Sequence, residues 1–533
     1  MKKKKNIVEN FSENFSNFVS SRNHFYFLEE ENKIMSVNQE SKFIVAIEKE
    51  LNKSTTTENG AISNASSLDP VLDFFSKSGA LRGKDEDVVG YFEKSFRANE
   101  ELSLKALFYM RDIKGGQGER NNFKVICQWL SKNSPESIIR NMIHIPLFGR
   151  WDDFYAFVTI DQTKEIALNI LKEQFDKDMD LASKGKNVSL LGKWLKSENA
   201  SSKETKKLAT ITREFFGLSS QEYRKSLSIL RKKINIVESF MSQKMWDQIE
   251  YSHVPSYAMK MYRKAFGKND SDRFQQYLSD VQNGQKKINA STLYPYDIVR
   301  EVYSLNSNNS DDLKSLDLQW NNLPNYMENS NDQQCMVLAD VSGSMTCGHG
   351  SVKPICVAVS LAIYFAERMK GVFNGHFMTF AHKPQLVKIV GNNIAEKVRN
   401  VSKADWEGNT NLINAFNSIL NAAVSNKISQ DEMPTKLFIV SDMQFDCACS
   451  CNKKTNFEVI DKLYKDAGYV RPTLVFWNVN AMSDSPVTKD ENGTFLVSGC
   501  SPSILKYALN TKALTPLDLM LQVLNSERYS FIH

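Results

Sequence analysis

The segment Asp340-Val341-Ser342-Gly343-Ser344-Met345 decides the fold of the second half of the chain. It follows a short apolar run, Cys335-Met336-Val337-Leu338-Ala339, which is typical of a buried strand. A carboxylate at the end of a strand, followed by two hydroxyls at alternate positions, is a compact set of hard oxygen ligands. Such ligands suit Mg²⁺ or Mn²⁺ rather than a soft metal. The segment therefore predicts a cation site at the edge of a sheet.

Two later segments carry further oxygen ligands. Gly408-Asn409-Thr410-Asn411-Leu412 contains a third hydroxyl, and Phe438-Ile439-Val440-Ser441-Asp442 ends a second apolar strand in a carboxylate. These segments add Thr410 and Asp442 to Asp340, Ser342 and Ser344 as candidate oxygen ligands for a metal.

From about residue 333 onward, apolar strands alternate with helices. We predict strands at 336–340, 375–381, 386–390, 436–442, 473–478 and 494–497, and helices at 353–369, 394–401, 411–423, 457–467, 502–509 and 516–524. Strands joined by crossover helices form a mainly parallel, doubly wound, Rossmann-like sheet that is covered on both faces. Ligands of such sheets bind at the carboxyl ends of the strands, where the strand order reverses.

The middle of the chain is predicted to be helical. From about 70 to 305, apolar residues recur at helical spacing over segments of ten to twenty residues. Paired helices of this length favour an antiparallel, HEAT-like α-solenoid, although no repeat of fixed period is present. We therefore predict a tail and flexible linker at 1–67, a helical-repeat domain at 68–330 and an α/β domain at 331–533.

Composition restricts the class of protein. A chain of 533 residues is too long for one core, and 41% hydrophobic with 24% charged residues is ordinary for a globular protein. The lysines at 2–5 are not followed by an apolar segment, so we expect no secretion signal, and Met35 is an alternative start. Eight cysteines do not indicate a disulfide scaffold, and we expect a reducing, cytoplasmic location without membrane association.

The glycine-rich stretch Arg111-Asp112-Ile113-Lys114-Gly115-Gly116-Gln117-Gly118-Glu119-Arg120 separates two predicted helices. Neither its spacing nor its helical context fits a phosphate-binding P-loop, which follows a strand. We predict a tight turn between helices, braced by Arg–Asp or Arg–Glu pairs.

A basic stretch lies between residues 203 and 233. The stretch contains nine basic residues and only three acidic ones. The basic residues are Lys203, Lys206, Lys207, Arg213, Arg224, Lys225, Arg231, Lys232 and Lys233. Phe215, Phe216 and Tyr223 are interleaved. Cations with aromatic rings can hold single-stranded nucleic acid through phosphate contacts and stacking. A solvated helix face with its aromatic rings in the core explains the same pattern, and the two interpretations stay open.

Two other chemistries were weighed for the predicted sheet edge. Cys347, His349, Cys447, Cys449 and Cys451 follow the two acidic strands and could hold zinc, but their spacing is not that of a zinc knuckle, so unliganded thiols are favoured. A serine hydrolase needs a Gly-x-Ser-x-Gly elbow and a histidine after a late strand, and the sequence around Ser342 has neither. We therefore expect no enzyme activity.

The pattern Asp-x-Ser-x-Ser, then Thr, then Asp resembles the metal-ion-dependent adhesion site of von Willebrand factor A domains. The resemblance implies that Ser342, Ser344 and Thr410 touch Mg²⁺ directly or through one water, while Asp340 and Asp442 hold those waters. It also implies that an acidic side chain of a protein partner completes the coordination. Asn411 stands where many A domains carry Asp.

The whole chain has the plan of the TROVE-module proteins, typified by the Ro autoantigen, and its local motifs more closely resemble the family of domain of unknown function DUF2828. The motifs are the segment 111–120, Phe148-Gly149-Arg150-Trp151-Asp152-Asp153, Gly192-Lys193-Trp194-Leu195, Val254-Pro255-Ser256-Tyr257-Ala258-Met259, Tyr294-Pro295-Tyr296-Asp297-Ile298-Val299 and Ser441-Asp442-Met443-Gln444-Phe445. The resemblance implies a ring or horseshoe of helices that takes single-stranded RNA ends and structured RNA, joined to the A domain.

These observations lead to one expected function and two alternatives. We expect a non-enzymatic RNA-binding protein, without DNA specificity, whose A domain recruits a protein through Mg²⁺. The first alternative is a protein–protein scaffold with metal-dependent partner binding and no RNA role. The second is a metal site that only stabilises its own domain.

Overall fold

The computed structural model describes residues 47, 51–52, 54–305, 310–328, 334–346, 352–379, 383–403, 410–446, 455–482, 484–510 and 513–533. The elements below all belong to one compact unit, Asn52–His533.

A two-stranded antiparallel hairpin opens this unit. Strands β1 (Ser54–Thr56) and β2 (Ile62–Asn64) pair with each other, and Asn64 exchanges two backbone hydrogen bonds of 3.0 and 2.8 Å with Ser485. The prediction of a flexible linker up to residue 67 is therefore wrong for this segment. Several of its polar side chains bond to the α/β part, as Ser63 does to Asp484.

The helical part follows the hairpin. Its helices are α1 (Pro70–Lys77), α2 (Asp85–Ala98), α3 (Glu100–Arg111), α4 (Asn121–Asn133), α5 (Pro135–Asn141), α6 (Ile145–Phe148), α7 (Asp161–Ser183), α8 (Leu191–Trp194), α9 (Lys203–Phe215), α10 (Ser220–Ile234), α11 (Val237–Ser242), α12 (Ser256–Asn269), α13 (Ser271–Gln282), α14 (Pro295–Tyr303) and α15 (Ser310–Asn321). Short 3-10 helices lie at Met142–His144, Trp151–Ala156, Trp246–Gln248 and Tyr251–His253. Local sequence sets the ends: Ser219 and Glu222 form a capping box at the start of α10, and Asn235 ends it in the left-handed conformation.

The α/β part contains a six-stranded sheet. Its elements are β3 (Cys335–Ala339), α16 (Pro354–Arg368), β4 (His376–Thr379), β5 (Leu386–Lys388), α17 (Ile394–Val401), α18 (Leu412–Asn426), β6 (Lys436–Ser441), α19 (Asn456–Asp466), β7 (Thr473–Asn478), β8 (Thr494–Ser498), α20 (Leu505–Ala508) and α21 (Pro516–Leu524). The strand order is β5-β4-β3-β6-β7-β8. All neighbours are parallel except β4 and β5, so the prediction of a mainly parallel sheet is confirmed.

The helical and α/β parts share one hydrophobic core. This core runs from Ala61 through the first ten helices and the sheet to Ile532, so the predicted boundary near residue 330 does not separate two cores. The chain closes it by returning to the first helices: Arg528 donates to the Asp112 carboxylate at 2.6 Å, and His533 donates its backbone N–H to Asn141 at 3.1 Å. A second, smaller core lies among α11, α12 and α13 and includes Phe266 and Tyr277.

The glycine-rich stretch is the tight turn that we predicted. Arg111 pairs with Asp153 at 2.7 Å, and Arg82 and Arg120 pair with Glu119 and Asp152. The turn depends on glycine at position 116, because a Cβ atom there would lie 1.9 Å from the Tyr109 carbonyl oxygen. Across the part of the chain that the structure describes, no helix is both long and apolar enough to cross a membrane.

Candidate functional site

The candidate metal site lies where the strand order of the sheet reverses. Strand β3 has its successor β4 on one side and the much later β6 on the other, so the crevice at the carboxyl ends of β3 and β6 is the switch point of the sheet. Ala339 pairs with Val440 in the parallel register. Asp340 and Asp442 follow these two strands directly, which brings their carboxylates to the same edge.

Asp340 is buried and accepts two hydrogen bonds from its surroundings. Its Oδ1 accepts from the Ser342 N–H at 2.9 Å, and its Oδ2 accepts from the Ser441 hydroxyl at 2.7 Å. Burial, followed by the charge of Asp442, raises the pKa of Asp340 from 3.8 to about 7. The hydrogen bonds act in the opposite direction but are outweighed. The carboxylate is therefore held in place, and among the described residues no cationic side chain forms an ion pair with it.

Asp442 is the other half of this pair. Burial raises its pKa above the ordinary value, and the charge of Glu58 acts in the same direction. Its Oδ1 accepts from the Gln444 N–H at 3.2 Å, and a hydrogen bond with the Ser344 side chain favours the ionised form. Ser344 Oγ lies 3.0 Å from Ser342 Oγ. The two carboxylates and the two serine hydroxyls thus converge on one place.

Thr410 lies on the same rim but is bound to the loop that follows β6. Its hydroxyl donates to the Gln444 carbonyl oxygen at 2.7 Å, lies 3.1 Å from Asp446 Oδ1, and accepts from the Asn59 side chain at 2.9 Å. Its place in the ligand set stays a prediction.

Gln444 organises the rim and was not among the predicted site residues. Besides bonding Asp442 and Thr410, it accepts the Glu58 N–H on its side-chain oxygen at 2.7 Å and donates to Asp484 at 3.1 Å. The hairpin also contributes Asn59, whose side chain donates to the Gln444 carbonyl at 2.7 Å. Gln444 could have been found from the segment 441–445, but nothing local links Asn59 to a site some 385 residues away.

The chemistry of these donors fits a hard divalent cation. Two buried carboxylates that disfavour each other's ionised form need either protons or a cation, and the adjacent hydroxyls offer neutral oxygen ligands. Within the described ranges, no cluster of three or more His, Cys, Asp or Glu residues occurs. The thiol cluster proposed for zinc, Cys347, His349, Cys447, Cys449 and Cys451, lies outside the described residues.

The structure divides the basic stretch into two groups. Six cations on α9 and α10 are exposed: Lys203, Lys206, Lys207, Arg224, Lys225 and Lys232. The other three stabilise the fold. Arg213 pairs with Glu198 at 2.8 Å, Arg231 donates to the Gly192 and Leu195 carbonyls, both at 3.0 Å, and Lys233 donates to the Gly185 carbonyl.

The aromatic residues of this stretch are mostly turned inward. Phe216 and Tyr223 are buried, and Phe216 packs on Phe175 with ring centroids 4.9 Å apart. Phe215 is 36% exposed. For the two buried rings, the interpretation as core residues is confirmed, so α9 and α10 present charge to a ligand but little stacking surface.

Comparisons with known proteins identify relatives whose own names carry no activity. The family model described as domain of unknown function DUF2828 matches residues 57–210 and 164–332, and the one described as domain of unknown function DUF7788 matches residues 334–527. An uncharacterized protein of Acanthamoeba polyphaga mimivirus is 29% identical over 509 residues, which cover 88% of this chain and 86% of the relative.

Proposed function

The chain belongs to the DUF2828 family, and we propose that it is a non-enzymatic RNA-binding protein that recruits a protein partner through Mg²⁺. The observation that carries the metal half of the proposal is the pair of buried carboxylates at the ends of β3 and β6, with two serine hydroxyls between them. In this proposal the α/β part is a von Willebrand factor A domain and the helical part is a HEAT-like ring or horseshoe.

The residues at the rim have two different roles in binding Mg²⁺. Ser342, Ser344 and Thr410 hold Mg²⁺ directly or through water, and Asp340 and Asp442 balance its charge. Bound Mg²⁺ with several neutral ligands remains electron-poor and therefore attracts a carboxylate from outside. The partner is accordingly a protein that presents an exposed Asp or Glu side chain to the rim.

The metal half is tested by calorimetric titration of the full chain with MgCl₂. We expect saturable binding by the wild-type chain and none by Asp442→Asn. Asp431→Asn, which changes an exposed carboxylate in the turn before β6, at the opposite end of that strand from the rim, is the control and should bind as the wild type does. Binding by Asp442→Asn with unchanged affinity contradicts the metal site.

The RNA half is supported by the exposed cations of α9 and α10. Six exposed cations on two neighbouring helices attract phosphates, and each contact releases counterions, so affinity falls steeply with salt. We expect a triple variant, Arg224→Gln with Lys225→Gln and Lys232→Gln, to weaken binding of single-stranded RNA about tenfold or more at low salt. A charge-matched control in the α/β part is Lys388→Gln with Lys427→Gln and Lys462→Gln.

Arg231 and Lys233 are excluded from the variant because they bond to backbone carbonyls, so their loss would confuse unfolding with lost binding. Undetectable RNA binding by the wild-type chain at low salt rejects the RNA half.

A protein–protein scaffold without an RNA role is the second candidate. The observation that favours it is the burial of Phe216 and Tyr223, which removes stacking surface from the basic face. It predicts a partner that is retained with Mg²⁺, released by chelator and unaffected by nuclease. Loss of the partner on nuclease treatment contradicts the scaffold and favours the RNA-binding protein.

A further inference from the structure

A cleft of about 640 Å³ opens in the helical part, away from the rim of the sheet. Its lining includes the cationic and aromatic residues Arg150 and Trp151 after α6, Lys193 and Trp194 of α8, His253, and Tyr257 in the first turn of α12, together with one carboxylate, that of Glu250. Its volume is in the range of pockets that hold small organic ligands.

The cleft lies between the two hydrophobic cores. Trp151 packs against the large core, whereas Val237 and Val254 on the other side belong to the small core. Junctions between independently packed units are common places for ligand sites, because a ligand there can contact both units.

Arg150 is the feature that defines the charge of a ligand. Its guanidinium carbon lies 4.7 Å from the centre of the Trp194 ring. Within the described part of the chain, no carboxylate comes within ion-pair distance of it. The nearby carboxylates of Asp152 and Asp153 pair instead with Arg120 and Arg111. Burial, together with the charge of Arg120, lowers the pKa of Arg150. A half-buried cation without an anion indicates that the anion comes from a ligand.

The aromatic residues define the rest of the ligand. Trp151 is stacked on Phe154, with ring centroids 5.7 Å apart and an interplanar angle of 19°, which fixes its orientation. Tyr257 is 46% exposed, and the Lys260 ammonium lies 4.4 Å from its ring centre. Rings held in place by neighbours are effective surfaces for stacking a planar group.

We propose that this cleft binds a nucleotide, with its phosphate on Arg150 and its base against the rings of Trp151, Trp194 and Tyr257. Arginine suits this task because its planar fork donates two hydrogen bonds to a phosphate while it stacks on a ring. The nucleotide is either free or the terminal residue of an RNA strand; the second source rests on the proposed RNA binding, the first does not.

The cleft also accounts for motifs that the metal site leaves unused. The segments 148–153, 192–195 and 254–259, which carry much of the resemblance to the DUF2828 family, all contribute residues to this cleft. The site therefore belongs to the part of the sequence by which the chain is recognised.

The test is titration of the full chain with AMP, and separately with a 5′-phosphorylated oligoadenylate, followed by tryptophan fluorescence and calorimetry. We expect AMP to quench the fluorescence, and Arg150→Gln to weaken its binding about tenfold or more, which is the loss of one charge-assisted contact. Tyr257→Ala should weaken it several-fold. The control is Lys132→Gln, an exposed cation of α4 outside the cleft, with AMP affinity unchanged.

Each arm of the experiment has a distinct outcome. Oligoadenylate that binds more tightly than AMP, with the same dependence on Arg150, assigns the cleft to a strand end. AMP that binds equally well or better assigns it to a free nucleotide. Quenching by neither ligand, or quenching that Arg150→Gln leaves unchanged in a variant with wild-type circular dichroism, overturns the proposal. The triple variant of α9 and α10 cations separates the two hypotheses, because it should impair RNA binding but leave AMP binding intact.

Discussion

The rim of the sheet and the helical cleft both hold charged groups that have no ion-pair partner among the described residues, but the charges have opposite sign. At the rim, the negative charge of Asp442 disfavours ionisation of the buried Asp340 carboxyl group. In the cleft, Arg150 lies on an indole ring without a carboxylate in ion-pair range among the described residues. A fold gains no stability from a buried charge without a counter-ion. Both places are therefore better explained by what they bind than by what they stabilise, and the rim predicts a cation where the cleft predicts an anion.

The largest effect should come from removing one carboxylate of the rim. Wild-type chain should gain thermal stability from Mg²⁺, by about 2.7 kcal/mol when the ion is present at a hundred times its Kd. Asp340→Asn should abolish this gain, since the charge that holds the ion is lost. Differential scanning calorimetry with and without Mg²⁺ measures both. The wild-type chain and Asp340→Asn should bind AMP with the same affinity. A difference in AMP affinity would contradict the conclusion that the rim and the cleft are separate sites.

The next effect is the pH dependence of the rim. Because the pKa of Asp340 is raised to about 7 in the folded chain from 3.8, the folded state binds the proton more tightly than the unfolded state does. Without Mg²⁺, stability should therefore fall as pH rises from about 4 to 7, by at most about 1.4 kcal/mol per pH unit for one group. Melting temperatures at pH 5.5 and pH 7, both inside this range, check this. Asp340→Asn should flatten the difference, and a wild-type profile that rises with pH across this range contradicts the buried pair.

A smaller effect is expected from the hairpin. Asn59→Ala removes the hydrogen bonds to Thr410 and to the Gln444 carbonyl, which should cost about 1 to 2 kcal/mol of unfolding free energy. Urea denaturation measures it. Ser54→Ala, on the exposed edge of β1, is the control and should change stability little. Equal stability of the two variants would mean that the hydrogen bonds between the hairpin and the rim do not stabilise the fold.

The smallest effect should be that of Arg150→Gln on stability. The substitution removes a half-buried cation that has no ion-pair partner among the described residues, and it also removes the contact of that cation with Trp194. These two changes oppose each other, so we expect the unfolding free energy to stay within about 0.5 kcal/mol of the wild type. Arg111→Gln is the contrast, because it would leave Asp153 buried without its partner at 2.7 Å. A large loss of unfolding free energy for Arg150→Gln in urea denaturation would show that Arg150 has a structural role. The comparison of the cleft with the rim as two ligand sites would then fail.

The α/β part was predictable because its signals are local. Strand β7 and helices α17 and α21 begin and end at the predicted residues, and β3 and β6 end one residue before their aspartates, as an edge site requires. The runs there are apolar throughout, as strands covered on both faces must be. The alternation of apolar strands with helices and the positions of the strand ends were enough to predict that Asp340 and Asp442 lie close together.

The remainder could not be predicted because it depends on distant partners. Ser54–Asn64 is as polar as a linker, and only its bonds to residues near 445 and 485 make it a hairpin. Likewise, no spacing reveals that Arg150, Trp194 and Tyr257 share a cleft, since each comes from a different helix end. Helical periodicity, which the sequence shows, is consistent with the burial of Phe216 and Tyr223. The sequence alone does not show which side of α9 and α10 packs on the core, because that depends on tertiary contacts.

The return of the chain to its first helices has a consequence for biosynthesis. The carboxylate of Asp112 meets Arg528 and Tyr529, more than 400 residues later, and Asn59 meets Gln444. At about 5 to 20 residues per second, a ribosome needs roughly 20 to 80 s to add that span. During this time the surfaces of the early helices that later meet the C-terminal segment remain uncovered, so a holding chaperone on the nascent polypeptide should raise the yield of native protein more than one added after release.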